Sequence, residues 1–114
     1  FCRETGQAPP EGDAATLRCV FESLALAYNG VLEQLVALTG RRVAAIHVVG
    51  GGARNALLCQ LTADATGLPV LAGPVEATVI GNALVQLIAL GELADLAEAR
   101  RLVAAAGALQ PYAP

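Results

Sequence analysis

The stretch Ile46–Asn55, "IHVVGGGARN", sets an apolar run directly against three consecutive glycines. Glycine loses more backbone freedom on folding than any other residue, so a fixed triplet needs a reason. The two usual reasons are a tight turn and a second molecule that must lie close to the main chain. The stretch predicts a strand that ends in a turn, with Gly50, Gly51 and Gly52 at its carboxyl end.

Helical and extended patterns alternate on both sides of this turn. Apolar residues spaced by three and four positions predict a long helix from about Ala14 to Thr39, with Asp13 as its N-cap. The apolar segment 41–49 predicts a strand, and 54–66 predicts a short helix that Gly67 ends. A long helix, a strand and a shorter helix are therefore expected up to this point.

The remaining residues predict one more strand and two more helices. The strand covers 68–73, and a nearly all-apolar helix, which should be deeply packed, runs over about 75–90. Asp95 and Glu98 have the spacing of a capping box for a last helix that reaches about Ala106.

The predicted fold class is α/β, in the order α-β-α-β-α-α, with 1–114 as a single unit. In both predicted strands, apolar and polar residues do not alternate, which is typical of parallel strands covered on two faces. Two such strands alone make a poor sheet. We therefore expect the sheet to be incomplete, with its other strands upstream in a longer protein or in a partner. Phe1 in place of an initiator methionine agrees with this expectation. The isolated chain should then fold marginally or self-associate.

Composition excludes several classes of function. The 114 residues are 55% hydrophobic with a net charge of −3 and no basic run, so the electrostatic footprint of a nucleic-acid partner is missing. No apolar stretch approaches the roughly 20 residues of a membrane span. All seven basic residues are arginines, which excludes a phosphate-binding Walker lysine and a Schiff base within this segment.

The three cysteines do not have the paired spacing of a zinc site. We expect free thiols in a cytoplasmic protein. If any pair oxidised, it would be Cys2 with Cys19, because they flank a polar loop that could fold back.

A glycine turn at the carboxyl end of a parallel strand is a place where α/β sheets bind ligands, and the following helix N-terminus favours negative charge. The dinucleotide-binding motif fits badly, because "GGGARN" has no third glycine at the required place and the strand "PVLAG" ends without an acidic residue. A turn without a ligand stays open, and Asn55 could simply cap its helix.

Three longer segments carry a resemblance to a known family. The sequence "VVGGGARNALLCQLTADATGLPV", followed by "GPVEATVIGNALVQLIALGEL", resembles the C-terminal end of the FGGY carbohydrate kinases. The upstream "RCVFESLALAYNGVLEQL" is similar to the long helix that precedes the glycine motif in that family, so the resemblance covers about Arg18 to Leu96. Within the family, the motif Gly81-Asn82-Ala83 followed by Gln86 resembles the corresponding motif of the members that phosphorylate L-rhamnulose.

The resemblance implies the C-terminal part of the second domain of a kinase with the actin-like, ribonuclease-H-like ATPase fold. It implies ATP and Mg²⁺ as cofactors, with ATP or ADP bound between two domains. On matching positions, Gly51 would be a main-chain nucleotide contact, Asn55 would lie near the adenine end, and Gly50 and Gly52 would shape the same turn.

No position matches the family's catalytic aspartate, and the sugar site and the metal-binding loops would lie upstream. The chain is therefore expected to hold no catalytic residue and no metal ligand, and to be inactive alone.

Three functions remain open. The first is the ATP-binding segment of a kinase acting on L-rhamnulose, or on another ketose or pentose, with the sugar bound by the upstream domain. The second is a non-catalytic assembly module that associates through its uncovered sheet. The third is a piece of a dinucleotide-binding oxidoreductase, which the missing glycine and acidic residue disfavour.

Overall fold

The computed structural model describes residues 1–107 and 109–114. Four α-helices, one 3₁₀ helix and three short strands follow one another in this order: α1 (Gly12–Thr39), β1 (Ile46–Val48), the 3₁₀ helix (Gly50–Arg54), α2 (Ala56–Thr66), β2 (Val70–Ala72), α3 (Ala77–Ala89), α4 (Leu96–Ala105) and β3 (Gln110–Tyr112). The α/β class is confirmed, and each predicted helix and strand is present, with the strands shorter than expected.

The sheet has three strands in the order β1-β2-β3. β1 pairs in parallel with β2, as predicted, whereas β3 pairs antiparallel with β2. The prediction of a sheet with only two parallel strands is therefore wrong. β3 has only three residues and contains Pro111, so its sequence shows no alternation of apolar and polar residues that would predict a strand. Proline is tolerated there because β3 is an edge strand. The Gln60 side-chain amide donates to the Ala113 carbonyl at 2.7 Å and fastens the strand to α2.

The core lies between α2 and the sheet and is small. Cys59 and Ala63 of α2 pack against Val70 and Ala72 of β2, and all four are buried. Partly buried side chains surround this cluster, among them Tyr112 of β3. The small side chains of α2 let the helix approach the strands closely, so β1 and β2 are held from one face by a single helix.

α1 packs along α2, with Ala25 as its buried residue. It begins at Gly12, and its N-cap is Glu11, which makes no side-chain capping hydrogen bond. The prediction of Asp13 as N-cap is wrong, because the helix starts before it. Asp13 instead lies in the first turn, where a negative charge interacts favourably with the helix dipole.

α3 and α4 pack against each other. The capping box of α4 is confirmed: Asp95 Oδ1 accepts from the Glu98 amide at 2.8 Å, and Glu98 Oε2 accepts from the Ala94 amide at 2.7 Å. The expected deep packing of α3 is wrong, since none of its residues is fully buried. Its apolar composition equips it for burial, but the described part of the chain covers only part of its surface.

The chain as a whole is open. Its Cα atoms have a radius of gyration of 17.8 Å, whereas a compact domain of this length has about 13 Å. Its accessible surface is 7945 Å², against about 5,800 Å² for a compact protein of 11.5 kDa. The helices therefore carry more apolar surface than the described residues bury.

The two aspartates at helix starts provide a matched test of the capping assignments. Asp95→Ala should lower the free energy of unfolding by about 1 kcal/mol, because it removes a side-chain cap. Asp13→Ala should change it by much less, because no capping bond is lost. Urea unfolding followed by circular dichroism measures both variants. Equal effects would contradict the assignment of the α1 start.

Candidate functional site

The loops that follow β1 and β2 meet at one edge of the sheet. The Gly73 amide donates to the Val48 carbonyl at 2.8 Å, and the Gly50 amide donates to the Pro74 carbonyl at 3.2 Å. These bonds join the glycine turn to the start of the "GPVEAT" segment. Two motifs that are separate in the sequence therefore form one continuous backbone surface at the carboxyl ends of two parallel strands, where α/β sheets bind ligands.

The three glycines of the turn differ in whether the backbone requires a glycine. Gly50 has a φ of +75°, a left-handed conformation that favours glycine. Gly51 and Gly52 do not have positive φ values. A Cβ added at Gly51 would meet nothing within 4 Å, and one at Gly52 would make only an ordinary 3.6 Å contact with Val48 Cγ1. The turn therefore requires glycine at position 50, whereas nothing among the described residues requires it at 51, whose main chain is exposed.

Asn55 lies between the 3₁₀ helix and α2 and is the N-cap of α2. Its Oδ1 accepts from the Leu58 amide at 3.0 Å, so the capping role that the sequence left open is present. Its own amide donates to the Gly52 carbonyl at 3.0 Å. The side-chain nitrogen has no hydrogen-bond partner among the described residues, so capping leaves one donor available beside the turn.

Cys59 supports the glycine turn from the core side. Its Sγ lies 3.9 Å from the Gly52 carbonyl, to which it donates a weak hydrogen bond. Burial raises the pKa of the Cys59 thiol, because the thiolate would lose its hydration. The buried thiol is therefore protonated and serves as a small packing group. All three cysteines are free, as predicted.

Arg54 and Glu76 add a contact between the same two loops. An Arg54 guanidinium nitrogen lies 4.0 Å from Glu76 Oε1, and both side chains are mostly exposed. Such an exposed pair contributes at most about 1 kcal/mol. Glu76 is the N-cap residue of α3 but makes no capping hydrogen bond. The contact with Arg54 joins two loops that are far apart in the sequence, so it depends on the sheet.

The other ion pairs of the described residues lie within 1–4 and within α1. His47 is exposed in β1, and Asp64 accepts from the Gln60 amide at 2.8 Å. Across 1–107 and 109–114, no group of three or more histidine, cysteine or acidic side chains could hold a metal ion. Within the same residues, no helix has both the length and the apolarity needed to cross a membrane. The candidate site is thus a backbone surface with few charged groups.

The α/β fold, with four helices and a small mixed sheet in the described residues, is consistent with the C-terminal domain of a carbohydrate kinase. The chain belongs to the FGGY family of carbohydrate kinases, since the model of that family's C-terminal domain matches residues 2–90. It is 51% identical over all 114 residues to a rhamnulokinase of Bacteroides thetaiotaomicron. It is 50% identical over 113 residues to a rhamnulokinase of Klebsiella pneumoniae strain 342 and to one of strain MGH 78578.

The resemblance to the FGGY family is therefore confirmed. The chain spans only 24% of the length of the Bacteroides protein and 23% of each Klebsiella protein.

The two neighbouring glycines provide a stability test of the turn. Gly50→Ala should lower the free energy of unfolding by about 1–2 kcal/mol, because alanine is strained at positive φ. Gly51→Ala should be neutral within about 0.5 kcal/mol, because its Cβ enters open space. Urea denaturation of the two variants checks this. A large loss for Gly51→Ala would mean that the turn itself needs that glycine.

Proposed function

We propose that this chain is one wall of the ATP site of a sugar kinase that transfers the γ-phosphate of ATP to L-rhamnulose, giving L-rhamnulose 1-phosphate. The main supporting observation is Gly51, an exposed glycine that neither backbone strain nor internal packing requires. A glycine of this kind is explained if a ligand lies against the main chain. The rhamnulokinase relatives support the choice of sugar.

The residues around Gly51 fit a nucleotide. The turn has no side chain at positions 50–52, so a flat ligand can contact its backbone. The N-terminus of α2 carries a partial positive charge that favours the phosphate side of the ligand. The Asn55 side-chain nitrogen can donate a hydrogen bond to the adenine end while its oxygen caps the helix. Gly50 fixes the path of the chain before Gly51 through its positive φ, and Gly52 continues the same turn.

ATP supplies the phosphoryl group that is transferred, and this chain supplies binding and orientation. Phosphoryl transfer also needs Mg²⁺, a base for the sugar hydroxyl and groups that position both substrates. The described residues offer no three-ligand cluster for a cation. We therefore assign the metal, the catalytic base and the sugar contacts to other parts of a longer parent kinase, in which 1–114 would be the C-terminal part of the second, actin-like domain.

The substrate could also be another ketose or pentose, because the relatives are matched over less than a quarter of their length. The upstream sequence of the parent would decide this. Membership of the FGGY family argues against the dinucleotide-binding oxidoreductase. Titration of the parent kinase with ADP and with NAD should show a clear preference for ADP.

The decisive variant is Gly51→Val in the full-length parent kinase. The branched side chain would occupy the space through which the nucleotide reaches the backbone, so the KM for ATP should rise about tenfold or more, equivalent to about 1.4 kcal/mol. The KM for the sugar should change little. Steady-state kinetics with each substrate varied in turn measures both constants.

Gly30→Val is a matched control for this experiment. Gly30 lies within α1 and, like Gly51, has open space around an added Cβ, but it is far from the turn in the sequence. This variant should leave both KM values unchanged. If Gly51→Val raised the two KM values equally, the glycine would have only a structural role.

The 114-residue chain by itself should be inactive. We expect no release of ADP that depends on L-rhamnulose, because the groups that phosphoryl transfer requires are assigned to other parts of the parent. A coupled assay of ADP release with the purified chain tests this. Sugar-dependent turnover above that of a sugar-free control would overturn the assignment of the chemistry to the rest of the kinase.

A further inference from the structure

Two charged side chains link the glycine turn to the start of α3. A guanidinium nitrogen of Arg54, the last residue of the 3₁₀ helix, lies 4.0 Å from Oε1 of Glu76, the residue before α3. The same two loops are already joined by the backbone hydrogen bonds that the Gly50 and Gly73 amides donate. The charged pair is therefore an addition to a connection that the main chain makes by itself.

The geometry of this pair is loose. A charge-assisted hydrogen bond between nitrogen and oxygen measures about 2.7–2.9 Å, so the 4.0 Å separation is too long for one. The side chains of Arg54 and Glu76 are 73% and 69% exposed, and such pairs contribute little to stability. By contrast, Arg18 Nε donates to Glu22 Oε1 at 2.7 Å within α1. Among the described residues, no acceptor forms a hydrogen bond with the Arg54 guanidinium, so its donors remain available.

The 3₁₀ helix brings Arg54 onto the same side as Gly51. Gly51 and Arg54 are three positions apart within the helix Gly50–Arg54, and residues at this spacing eclipse each other in a 3₁₀ helix. With a rise of about 2.0 Å per residue, the two Cα atoms are separated by about 6 Å along the axis. An arginine side chain spans this distance. A ligand that lies against the exposed main chain of Gly51 therefore comes within reach of the Arg54 guanidinium.

The charge around Arg54 is only partly balanced. Arg54 directly precedes Asn55, the N-cap of α2, and the first turn of α2 contains no acidic residue. A cation at this end of a helix is opposed by the helix dipole. Among the described residues, Glu76 is the carboxylate that pairs with Arg54. A phosphate group would supply more negative charge than this exposed carboxylate, together with the oxygens that the planar guanidinium binds in pairs.

On the basis of the proposed function, we propose that Arg54 binds a phosphate oxygen of the nucleotide and that Glu76 keeps the guanidinium beside the turn while the nucleotide is absent. When the nucleotide binds, the guanidinium exchanges the Glu76 carboxylate for the phosphate. Arg54 is then a nucleotide-binding residue. Glu76 is a positioning residue whose carboxylate competes with the ligand.

Calorimetric titration of the full-length parent kinase with ADP and with adenosine tests the role of Arg54. Arg54→Gln should weaken ADP binding by about tenfold or more, because a hydrogen bond between two charged groups is lost. The affinity for adenosine should be unchanged, because adenosine has no phosphate. Arg54→Lys should recover part of the affinity for ADP, since lysine keeps the charge but lacks the planar fork.

Glu76→Gln distinguishes a competing carboxylate from a structural brace. Removal of the competing charge should strengthen ADP binding by about two- to fivefold, an effect opposite in sign to that of Arg54→Gln. If the pair only braced the two loops, both variants would weaken the binding of ADP, and this result would overturn the proposal. An unchanged affinity for ADP in Glu76→Gln would overturn the role of Glu76.

The pair of Arg18 and Glu22 in α1 provides the matched control, because it too is an exposed arginine–glutamate pair. Arg18→Gln should leave the affinity for ADP unchanged. A wild-type parent kinase that did not bind ADP would overturn the ATP site itself. If the wild type bound ADP, and Arg54→Gln left this affinity unchanged or weakened ADP and adenosine equally, only the assignment of Arg54 would be wrong.

Discussion

The parallel pairing of β1 with β2 is the constraint on which the candidate site depends. Parallel strands end at the same edge of a sheet, so the residues that follow them are brought together however far apart they lie in the sequence. Here the pairing places the glycine turn against the Gly73–Pro74 segment and is closed by two backbone hydrogen bonds. The contact between Arg54 and Glu76 follows from this arrangement.

A small core holds this pairing in place. The helix that covers it contributes Cys59 and Ala63, whose small side chains allow a close approach to the strands. β3 closes the other edge of β2 with a proline, which has no amide hydrogen to offer to a further strand. Among the described residues, α2 covers one face of the sheet and β3 completes one edge, while no strand pairs with the outer edge of β1. Because β1 lies at the open edge of the sheet, the glycine turn that follows it lies at the periphery of the structure.

Under the proposed function, the excess of exposed apolar surface and the exposed glycine turn would have the same cause. A ligand that binds between two bodies needs a surface on each of them, and a single body then shows only half of the site. The backbone surface around Gly51 is exposed, like many apolar side chains of α1. Under the proposed function, this chain would contribute positioning through its main chain, and the groups that carry charge or exchange protons would lie on the facing body.

The sequence by itself determined the elements whose signals are local. Asn55 and Gly67 bracket α2, and Asp95 with Glu98 starts α4, because capping and left-handed turns depend on residues within one helical turn. The glycine triplet likewise identified the candidate site. The antiparallel β3, the exposure of α3 and the contact between the two loops were decided only by tertiary structure. Strand pairing and burial depend on residues far apart in the chain, and apolar periodicity shows what an element can bury but not what is present to cover it.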